Sequence, residues 1–384
     1  MDFALSEEQT LLRNSVERMF ADQYTFEARK RYAQEPGGFS RALWRQYAEL
    51  GLLGLPFSEE DGGLAGGPVE TMIVMGTIGR ALALEPYLAT VVLAGGLLRL
   101  GGTEALRREL IPQIAAGDLI LAFAHSERQA RYDLADVAAT ARRDGAGYVL
   151  DGAKTLVLHG DSAKSFVVSA RVGGGQREQN GIALFLVDAG SSGVSTRGYD
   201  TVDGQRAAEV TLSGVRVGAD TAIGDPGGAF PLIEKIADAA MAALAAEAVG
   251  AMAAMHELTV DYLKTRKQFG VTIGSFQALQ HRAADMLVAL EQARSMALLA
   301  TVMADEKDVR ERRAAISAAK VQIGRSGRLV GQQAIQLHGG IGMTMEYRAG
   351  HYFKRLTMIE SAFGDTDHHM RLIDKAGGLL AAAA

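Results

Sequence analysis

The most specific pattern in this chain lies in its C-terminal half and reads TRKQFGVTIGSFQALQHRAADM (residues 265–286). Arg266 offers a rigid fork of hydrogen-bond donors and a fixed positive charge, which suits the oxygens of a pyrophosphate or of adenosine. Phe269 offers an aromatic face for packing, and Gln277 adds an amide donor. Taken alone, Arg266 could equally be an exposed arginine at a helix end, so its interpretation depends on the rest of the sequence.

A second string, QLHGGIGMTMEYRAGHYFKR (residues 336–355), supplies further groups of the same kind. Gln336 is another amide donor, and Gly339 and Gly340 let a backbone approach a ligand closely. These glycines follow a helical segment and not a strand, so they are not a Rossmann fingerprint, and no P-loop pattern occurs in context. The sequence therefore indicates neither of these two common nucleotide sites.

Composition limits the class of protein. The 384 residues are 48% hydrophobic and 22% charged, enough for two or three domains with buried cores. A net charge of −5 without a Lys/Arg block gives no reason to expect nucleic acid or a membrane as partner. The lack of cysteine excludes disulfides, thiol nucleophiles and Cys-based metal sites. With no secretion signal at the N-terminus, we expect a cytoplasmic protein that acts on small molecules.

Local patterns change twice along the chain. Ser6 and Gln9 predict a capping box at the start of a helix, and helical signals continue to about residue 117. Short β-branched runs separated by Gly-rich turns follow, which is typical of an antiparallel sheet. Helical periodicity returns after IGDPGGAF (223–230). We predict an α+β fold of three domains: an N-terminal helical domain (1–117), a middle β domain (118–222) and a C-terminal four-helix bundle (223–384).

Both strings and the helical–β–helical order resemble the acyl-CoA dehydrogenase family, and the resemblance runs along the whole chain. The predicted three-domain arrangement is that family's architecture. In the family the matched positions bind the adenosine half of FAD, often across a subunit interface. Here those positions are Arg266, Phe269, Gln277, Gln336, Gly339 and Gly340. The resemblance therefore implies FAD as cofactor and an acyl-CoA ester as substrate.

The resemblance also implies a reaction. The family oxidises the α,β bond of an acyl thioester to the trans-2-enoyl thioester: a carboxylate removes the α-proton, and the β-hydrogen leaves as hydride to flavin N5. Electron-transfer flavoprotein is the implied electron acceptor. The flavin supplies the redox capacity, while the protein supplies the base, the alignment and hydrogen bonds to the thioester oxygen.

The family's usual base is missing from its expected place. Counted from Gly339, the glutamate of the family's Glu-Gly-Thr turn is replaced by Phe363, and Asp365 is a candidate substitute two residues later. A second family pattern puts the glutamate at the position of Ala240, and Glu247 lies seven residues further along, roughly 10 Å on the same helical face. A carboxylate in a buried alanine-rich helix is poorly solvated, as a base working near neutrality needs. Alternatively, Glu247 pairs with an arginine of the bundle.

The segment IESAFGDTDHH (359–369) has other interpretations. Adjacent histidines such as His368 and His369 point about 100° apart on a helix, so we expect no metal site there. Asp365 or Thr366 could instead cap the start of a helix.

The region expected to hold the flavin ring also departs from the family. Where the family commonly has Thr-Glu-Pro-Gly-Ala-Gly-Ser-Asp, this chain has SERQARYD (126–133), in which Ser126 keeps the hydroxyl and the glycines are lost. The Trp-Ile-Thr segment that packs on the ring is replaced by a run that includes Leu156 and Leu158. Backbone donors of this strand could still serve N5, and Phe123 could still cover the ring.

Three hypotheses follow. The chain most resembles the small subunit of pimeloyl-CoA dehydrogenase, a branch for dicarboxylic acyl-CoA esters, so it is expected to lend the adenosine half of the site to a flavin whose ring and base lie in a larger partner subunit. The second is a self-sufficient homo-oligomer that uses Glu247 or Asp365. The third is a non-catalytic structural or CoA-binding protein. Arg128 and Arg131 could meet the far carboxylate of a dicarboxylic acyl group or be merely solvated.

Overall fold

A computed structural model describes residues 4–377 of the chain. A helical segment, a segment of strands and a second helical segment follow one another in the predicted order, and the α+β class is confirmed. The α-helices are α1 (Glu7–Gln23), α2 (Phe26–Tyr32), α3 (Arg41–Glu49), α4 (Pro68–Ala81), α5 (Gly95–Gly101), α6 (Glu104–Ala115), α7 (Phe230–Thr265), α8 (Gln277–Met303), α9 (Val309–His338), α10 (Arg348–Ser361) and α11 (Thr366–Lys375). The strands are β1 (Leu121–Ala124), β2 (Thr140–Asp144), β3 (Gly147–Leu158), β4 (Ser165–Arg171), β5 (Ile182–Asp188), β6 (Val194–Asp200), β7 (Arg206–Gly218), β8 (Ala222–Gly227), β9 (Lys267–Gln268) and β10 (Val271–Thr272).

The first helix begins where its sequence predicts. The Gln9 N–H donates to the Ser6 hydroxyl (3.1 Å), and the Ser6 N–H donates to the Gln9 side chain (3.0 Å), which completes the capping box. Val16 and Met19, which follow at helical spacing, are buried.

The chain divides into two compact units. One contains residues 31–67 and 84–240, and the other contains residues 4–30, 68–83 and 241–377 among those described. The division falls inside α7, between Ala240 and Met241.

The first of these units contains a mixed sheet. Its strands run in the order β6-β7-β3-β2-β4-β5-β8, and β1 pairs with β4. Most neighbours are antiparallel, as predicted, but β1–β4 and β2–β4 are parallel. The sequence pattern could not reveal this difference, because turn signals report only on strands joined by short hairpins, whereas parallel partners need long connections.

The second unit is helical, and its predicted apolar stripes are buried. Met286, Leu290, Ala293 and Ala297 of α8 are inside, as are Ile316, Ala319 and Ile323 of α9. From residue 230 onward the chain contains α7 to α11, which form the predicted C-terminal helical domain with three long helices and two shorter ones.

Glycines let two helices of this unit touch backbone to backbone. A Cβ on Gly79 of α4 would lie 1.9 Å from the carbonyl oxygen of Glu247 on α7, and a Cβ on Gly250 would lie 1.8 Å from that of Gly76. Real Cβ atoms do not come so close, so α4 and α7 require glycine at both positions.

Two helices of the described chain, α7 and α8, are long and apolar enough to cross a bilayer by length and composition alone. Within the folded chain, 89% of the most apolar window of α7 is buried, against 39% for α8. The apolar character of α7 is thus that of a core helix, whereas α8 leaves much apolar surface uncovered.

Candidate functional site

The first string forms a short hairpin that presents Arg266 and Phe269. β9 and β10 pair around the two-residue turn Phe269-Gly270, whose φ angles of +55° and +81° are both left-handed. A turn of this kind usually begins with Asn or Gly, yet here it begins with a phenylalanine that is 89% exposed. Its ring contacts the chain edge-on at Phe276, with 6.0 Å between ring centroids. An exposed aromatic ring on a strained backbone position is suited to packing against a ligand or another subunit.

Arg266 follows the last residue of α7 and is exposed. Its guanidinium has no ion pair or hydrogen bond within residues 4–377, and only its backbone is bonded, to Tyr262 and Ile273. Gln277, the first residue of α8, is also exposed. These donors are therefore free to meet an anionic ligand.

The second string ends α9 with an open glycine turn. Gln336 is exposed on the last turn of the helix, and Gly339 has φ +63° and ψ −141°. No atom lies within 4 Å of where a Cβ would be on Gly339 or Gly340, so space beside this backbone is free. The turn therefore has the form of a surface onto which a flat or phosphorylated group can pack.

A buried histidine supports this turn from below. The His338 Nδ1 donates to the Ala334 carbonyl (2.8 Å), and the ring lies between Tyr262 and Tyr347, 4.7 and 5.0 Å from their ring centroids. Its Nε2 has no partner within the described residues. The aromatic cluster holds the end of α9 and the residues after α7 together.

The open groups of the helical unit fit the dinucleotide end of FAD. Unpaired donors and an open glycine turn suit the phosphates and adenosine of a dinucleotide, and the helical unit alone supplies them. The six residues predicted for the adenosine half are all accessible in this structure, including Phe269, which lies at the tip of its hairpin.

The position that the resemblance predicts for the family's base carries a ring that packs against the core. Phe363, with φ +56°, follows α10 and packs against an apolar cluster that includes Met241, Ala242 and Ile316. Asp365 caps α11, because its Oδ1 accepts the His368 N–H (2.8 Å). The structure thus gives Asp365 the helix-start role that its sequence also allowed.

Glu247 is held in a buried ion pair. It is 2% exposed, and the Arg355 guanidinium donates to both of its oxygens, Nε to Oε1 at 2.5 Å and Nη2 to Oε2 at 2.7 Å. This geometry corresponds to the second of the two sequence interpretations, a glutamate paired with an arginine of the bundle. To act as a base, Glu247 would first have to leave Arg355.

The residues predicted near the flavin ring lie in the sheet unit. Phe123 of β1 is half-buried and stacks on His125 with 5.2 Å between centroids. Ser126 is exposed, and its carbonyl accepts the Thr155 N–H (2.8 Å). Leu156 is exposed with φ +52°, at an irregularity in the β3–β7 ladder between Lys154 and Val157. Leu158 is half-buried at the end of β3.

A buried ionic network that sequence reasoning missed fixes this region. The Lys154 ammonium donates to Glu127 (2.7 Å), to the Ser169 hydroxyl (3.0 Å) and to the His125 carbonyl (3.2 Å). Glu127 also accepts the N–H groups of Ala138 and Ala139. The network ties β3 to the segment after β1, so that the backbone predicted to face the ring has a fixed shape even though its side chains differ.

The three ionisable groups of this network all have pKa values below their ordinary ones. Burial lowers the pKa of Lys154 to about 8 and that of His125 to about 3. For Glu127, burial acts to raise the pKa, but the Lys154 charge and the hydrogen bonds prevail and lower it below its ordinary value. At neutral pH the network therefore contains an ammonium, a carboxylate and a neutral imidazole. Glu127 lies one residue after the predicted Ser126, but no local pattern connects it with Lys154.

The two arginines of the altered loop are on the surface. Arg128 pairs with Glu209 (3.2 Å) and is largely exposed, and Arg131 is exposed with φ +50°. Arg131 has no ion-pair partner in the described part of the chain.

Comparison with known proteins gives one family. The models of the acyl-CoA dehydrogenase N-terminal, middle and C-terminal domains match residues 6–118, 122–215 and 230–378. The chain is 30% identical to the probable acyl-CoA dehydrogenase YngJ of Bacillus subtilis, over 96% of this chain and 97% of YngJ. Among solved structures it is similar to the FAD complex of PigA (TM-score 0.90, 26% identity, 98% and 99% of the two chains). It is also similar to the ChsE4-ChsE5 complex from Mycobacterium tuberculosis (TM-score 0.87, 27% identity, 98% of each chain).

Proposed function

Because the chain belongs to the acyl-CoA dehydrogenase family, we propose that it is the smaller subunit of a hetero-oligomeric enzyme of this family, acting on a dicarboxylic acyl-CoA ester such as pimeloyl-CoA. The activity of the family is the oxidation of acyl-CoA esters at a CH–CH bond, and FAD is the cofactor. Bound FAD would supply the acceptor for the hydride. The residues of this chain contribute binding and orientation of that cofactor.

One contrast carries the proposal. Arg266 is exposed and its guanidinium has no partner in residues 4–377, and Phe269 is exposed on a left-handed turn. The predicted base position, in contrast, holds Phe363, which packs against the core. Asp365 and Glu247 are already engaged, one in a helix cap and one in an ion pair. Accessible groups for the adenosine half, together with two candidate bases that are both engaged, are best explained if a partner supplies the ring-binding residues and the base.

The surface of α8 supports an assembly of subunits. Its exposed apolar side chains fall within about 120° of one another around the helix, and they form the α8 stripe: Leu287, Val288, Leu299 and Val302. A long apolar helix face left in water is typical of a surface that another subunit covers. The similarity to the ChsE4-ChsE5 complex, which contains two different chains, also favours a hetero-oligomer.

The substrate and acceptor belong to the same proposal. Arg131 and Arg128 present accessible guanidinium groups in the loop that departs from the family pattern, and such groups bind a carboxylate bidentately. We expect them to meet the far carboxylate of the acyl chain. Electron-transfer flavoprotein is the proposed electron acceptor, and the cytoplasm is the proposed location.

The test is to purify the chain alone and together with a co-expressed larger subunit. We expect stoichiometric FAD, and bleaching of its absorbance by pimeloyl-CoA, in the complex only. Arg266→Ala should lower the FAD content of the complex, and Arg18→Ala, at an exposed arginine of α1, should not. If the chain alone binds stoichiometric FAD and oxidises acyl-CoA at rates normal for the family, the hetero-oligomer proposal is wrong.

Two alternatives give other results in the same experiment. A self-sufficient homo-oligomer would lose turnover in Glu247→Gln or Asp365→Asn, and a variant that keeps full turnover removes its residue from the role of base. A non-catalytic CoA-binding protein would stay colourless after addition of FAD and partner.

A further inference from the structure

A buried lysine closes the C-terminal end of α10. The Lys320 ammonium, on α9, is 3% exposed and donates to the carbonyls of Ile359 (2.8 Å), Glu360 (3.1 Å) and Ala362 (2.8 Å). Carbonyls in the last turn of a helix have no partner within it and lie at the negative end of its dipole. The three N–H groups of the ammonium thus bond to three carbonyl oxygens at the end of α10.

His369 of α11 contacts the same turn. Its Nε2 must donate to the Phe363 carbonyl (3.2 Å), because a carbonyl only accepts. In a neutral ring Nδ1 then accepts, and the Ser317 hydroxyl donates to it (3.1 Å). Ser317 and Lys320 are three residues apart on α9, so they share a face of that helix. This face therefore holds the turn both directly and through His369.

The turn held in this way is strained. Phe363 and Gly364 have φ angles of +56° and +116°, a region that side chains rarely adopt. A Cβ on Gly364 would lie 2.7 Å from His369 Nε2, so the imidazole packs directly on the turn. Strained backbone persists only where its surroundings fix it.

We propose that Lys320 and His369 are positioning residues that hold the turn 362–364, the place of the family's usual base, in its left-handed shape. The turn keeps this support although its glutamate has become a phenylalanine. The inference concerns the geometry of the helical unit and does not depend on the proposed partner, so the two can fail separately.

The charged neighbours define how the contact depends on pH. Burial lowers the pKa of Lys320 to about 7, against the charges of Glu360 on α10 and Asp365 before α11. Burial and the Lys320 charge lower the pKa of His369 to about 3, with smaller contributions from His368 and Arg313. Burial also lowers the pKa of His368. The buried Lys320 therefore releases its proton at a lower pH than it would in the opened chain, and above pH 7 its charge is the one in this cluster that depends on opening.

Hydrogen–deuterium exchange of the full chain, read by mass spectrometry over residues 358–370, tests the proposal without flavin or partner. The segment includes the Ala362 and His369 amides, bonded to the carbonyls of Met358 and Asp365. Lys320→Met should speed exchange there by about tenfold or more, as expected for the loss of a charge-assisted hydrogen bond, while the β-strands stay unchanged. The matched control, Lys154→Met, removes a buried lysine of the other unit and should leave residues 358–370 unchanged.

The pH profile separates positioning from a general packing role. After correction for intrinsic exchange, protection of residues 358–370 should rise from pH 7 to pH 9 in the wild-type protein, because the opened chain binds more protons than the closed one in that window, and it should stay flat in Lys320→Met. Ser317→Ala should speed exchange but keep the pH dependence, and it serves with the wild-type profile if Lys320→Met does not fold. A flat wild-type profile, or wild-type exchange in Lys320→Met, would overturn the proposal.

Discussion

Two glutamates of α7 form ion pairs that differ in burial. The Glu247–Arg355 pair is inside the helical unit, while the side chains of Arg80 and Glu257 are 46% and 55% exposed. Breaking a buried pair leaves an uncompensated charge away from water, whereas an exposed pair is weakened by solvent. The two sites therefore allow a comparison within one helix.

Glu247→Gln is expected to lower the free energy of unfolding by about 3–5 kcal/mol, and Glu257→Gln by less than about 1 kcal/mol. Urea unfolding measures both. In the double variant Glu247→Gln/Arg355→Met, the loss of unfolding free energy should be smaller than the sum of the losses in the two single variants, because both charges are removed together. Equal losses at 247 and 257 would contradict the structural role given to the buried pair.

What the sequence could predict at this scale was the chemistry of single side chains. Arg266 and the glycine pair at 339 and 340 are accessible, and their role in binding FAD stays a prediction from their residue types. The ion-pair partner of Glu247 could not be predicted, since Arg355 lies 108 positions away and only tertiary packing brings the two together. The same holds for Lys154 and Glu127, 27 positions apart.

The contact between α4 and α7 depends on glycine at particular positions. Gly79 faces a backbone carbonyl of α7 at a distance that excludes a methyl group, whereas the nearest atom to a Cβ on Gly76, one turn earlier, is 3.7 Å away. Adding a methyl group should thus have opposite effects at two glycines of the same helix.

Gly79→Ala should force α4 and α7 apart and destabilise the protein by about 1–3 kcal/mol or more, as overpacking does. Gly76→Ala should be neutral or stabilise by up to about 1 kcal/mol, because alanine has the higher helix propensity. Thermal unfolding of the two variants tests the difference. A loss at position 76 as large as at 79 would show that the close approach is not the cause.

Element prediction succeeded where burial follows a period and failed where it does not. The buried residues of α8 and α9 repeat at helical spacing, so they could be predicted from the sequence. β6 is almost wholly accessible, and β2 is mostly charged or small, so neither has the apolar alternation that marks a strand. Both form because neighbouring strands supply their hydrogen bonds.

On the scale of the whole molecule, acid should unfold the protein through buried histidines of both units. Burial lowers the pKa of His125 and of His369 to about 3 from 6.5. The unfolded chain therefore binds more protons between pH 6.5 and 3, and stability is lost as the pH falls through that window. Each histidine contributes up to about 1.4 kcal/mol per pH unit.

The variant His369→Asn should thus lose stability less steeply between pH 6.5 and 4 than the wild-type chain. Urea unfolding at several pH values measures the slope. Parallel slopes would mean that His369 takes up its proton in the folded state as easily as in the unfolded one.

Assembly can be tested through the α8 stripe. Val288 is 58% exposed, so Val288→Glu should leave the protomer folded while placing a charge where another subunit is expected. Light scattering should report a smaller assembly than for the wild-type protein. Val202→Glu, at an exposed apolar side chain of the other unit, is the control and should keep the wild-type mass. An unchanged mass in Val288→Glu would remove α8 from the interface.

The α8 stripe also bears on how the cell handles this polypeptide. A protomer synthesised without its partner subunit exposes the α8 stripe and the ring of Phe269 to the cellular proteins around it. Exposed apolar surface of this kind binds chaperones and proteases and promotes aggregation of unassembled protomers. Its abundance should therefore follow the rate at which its companion is synthesised, and balanced translation of the two would be under selection.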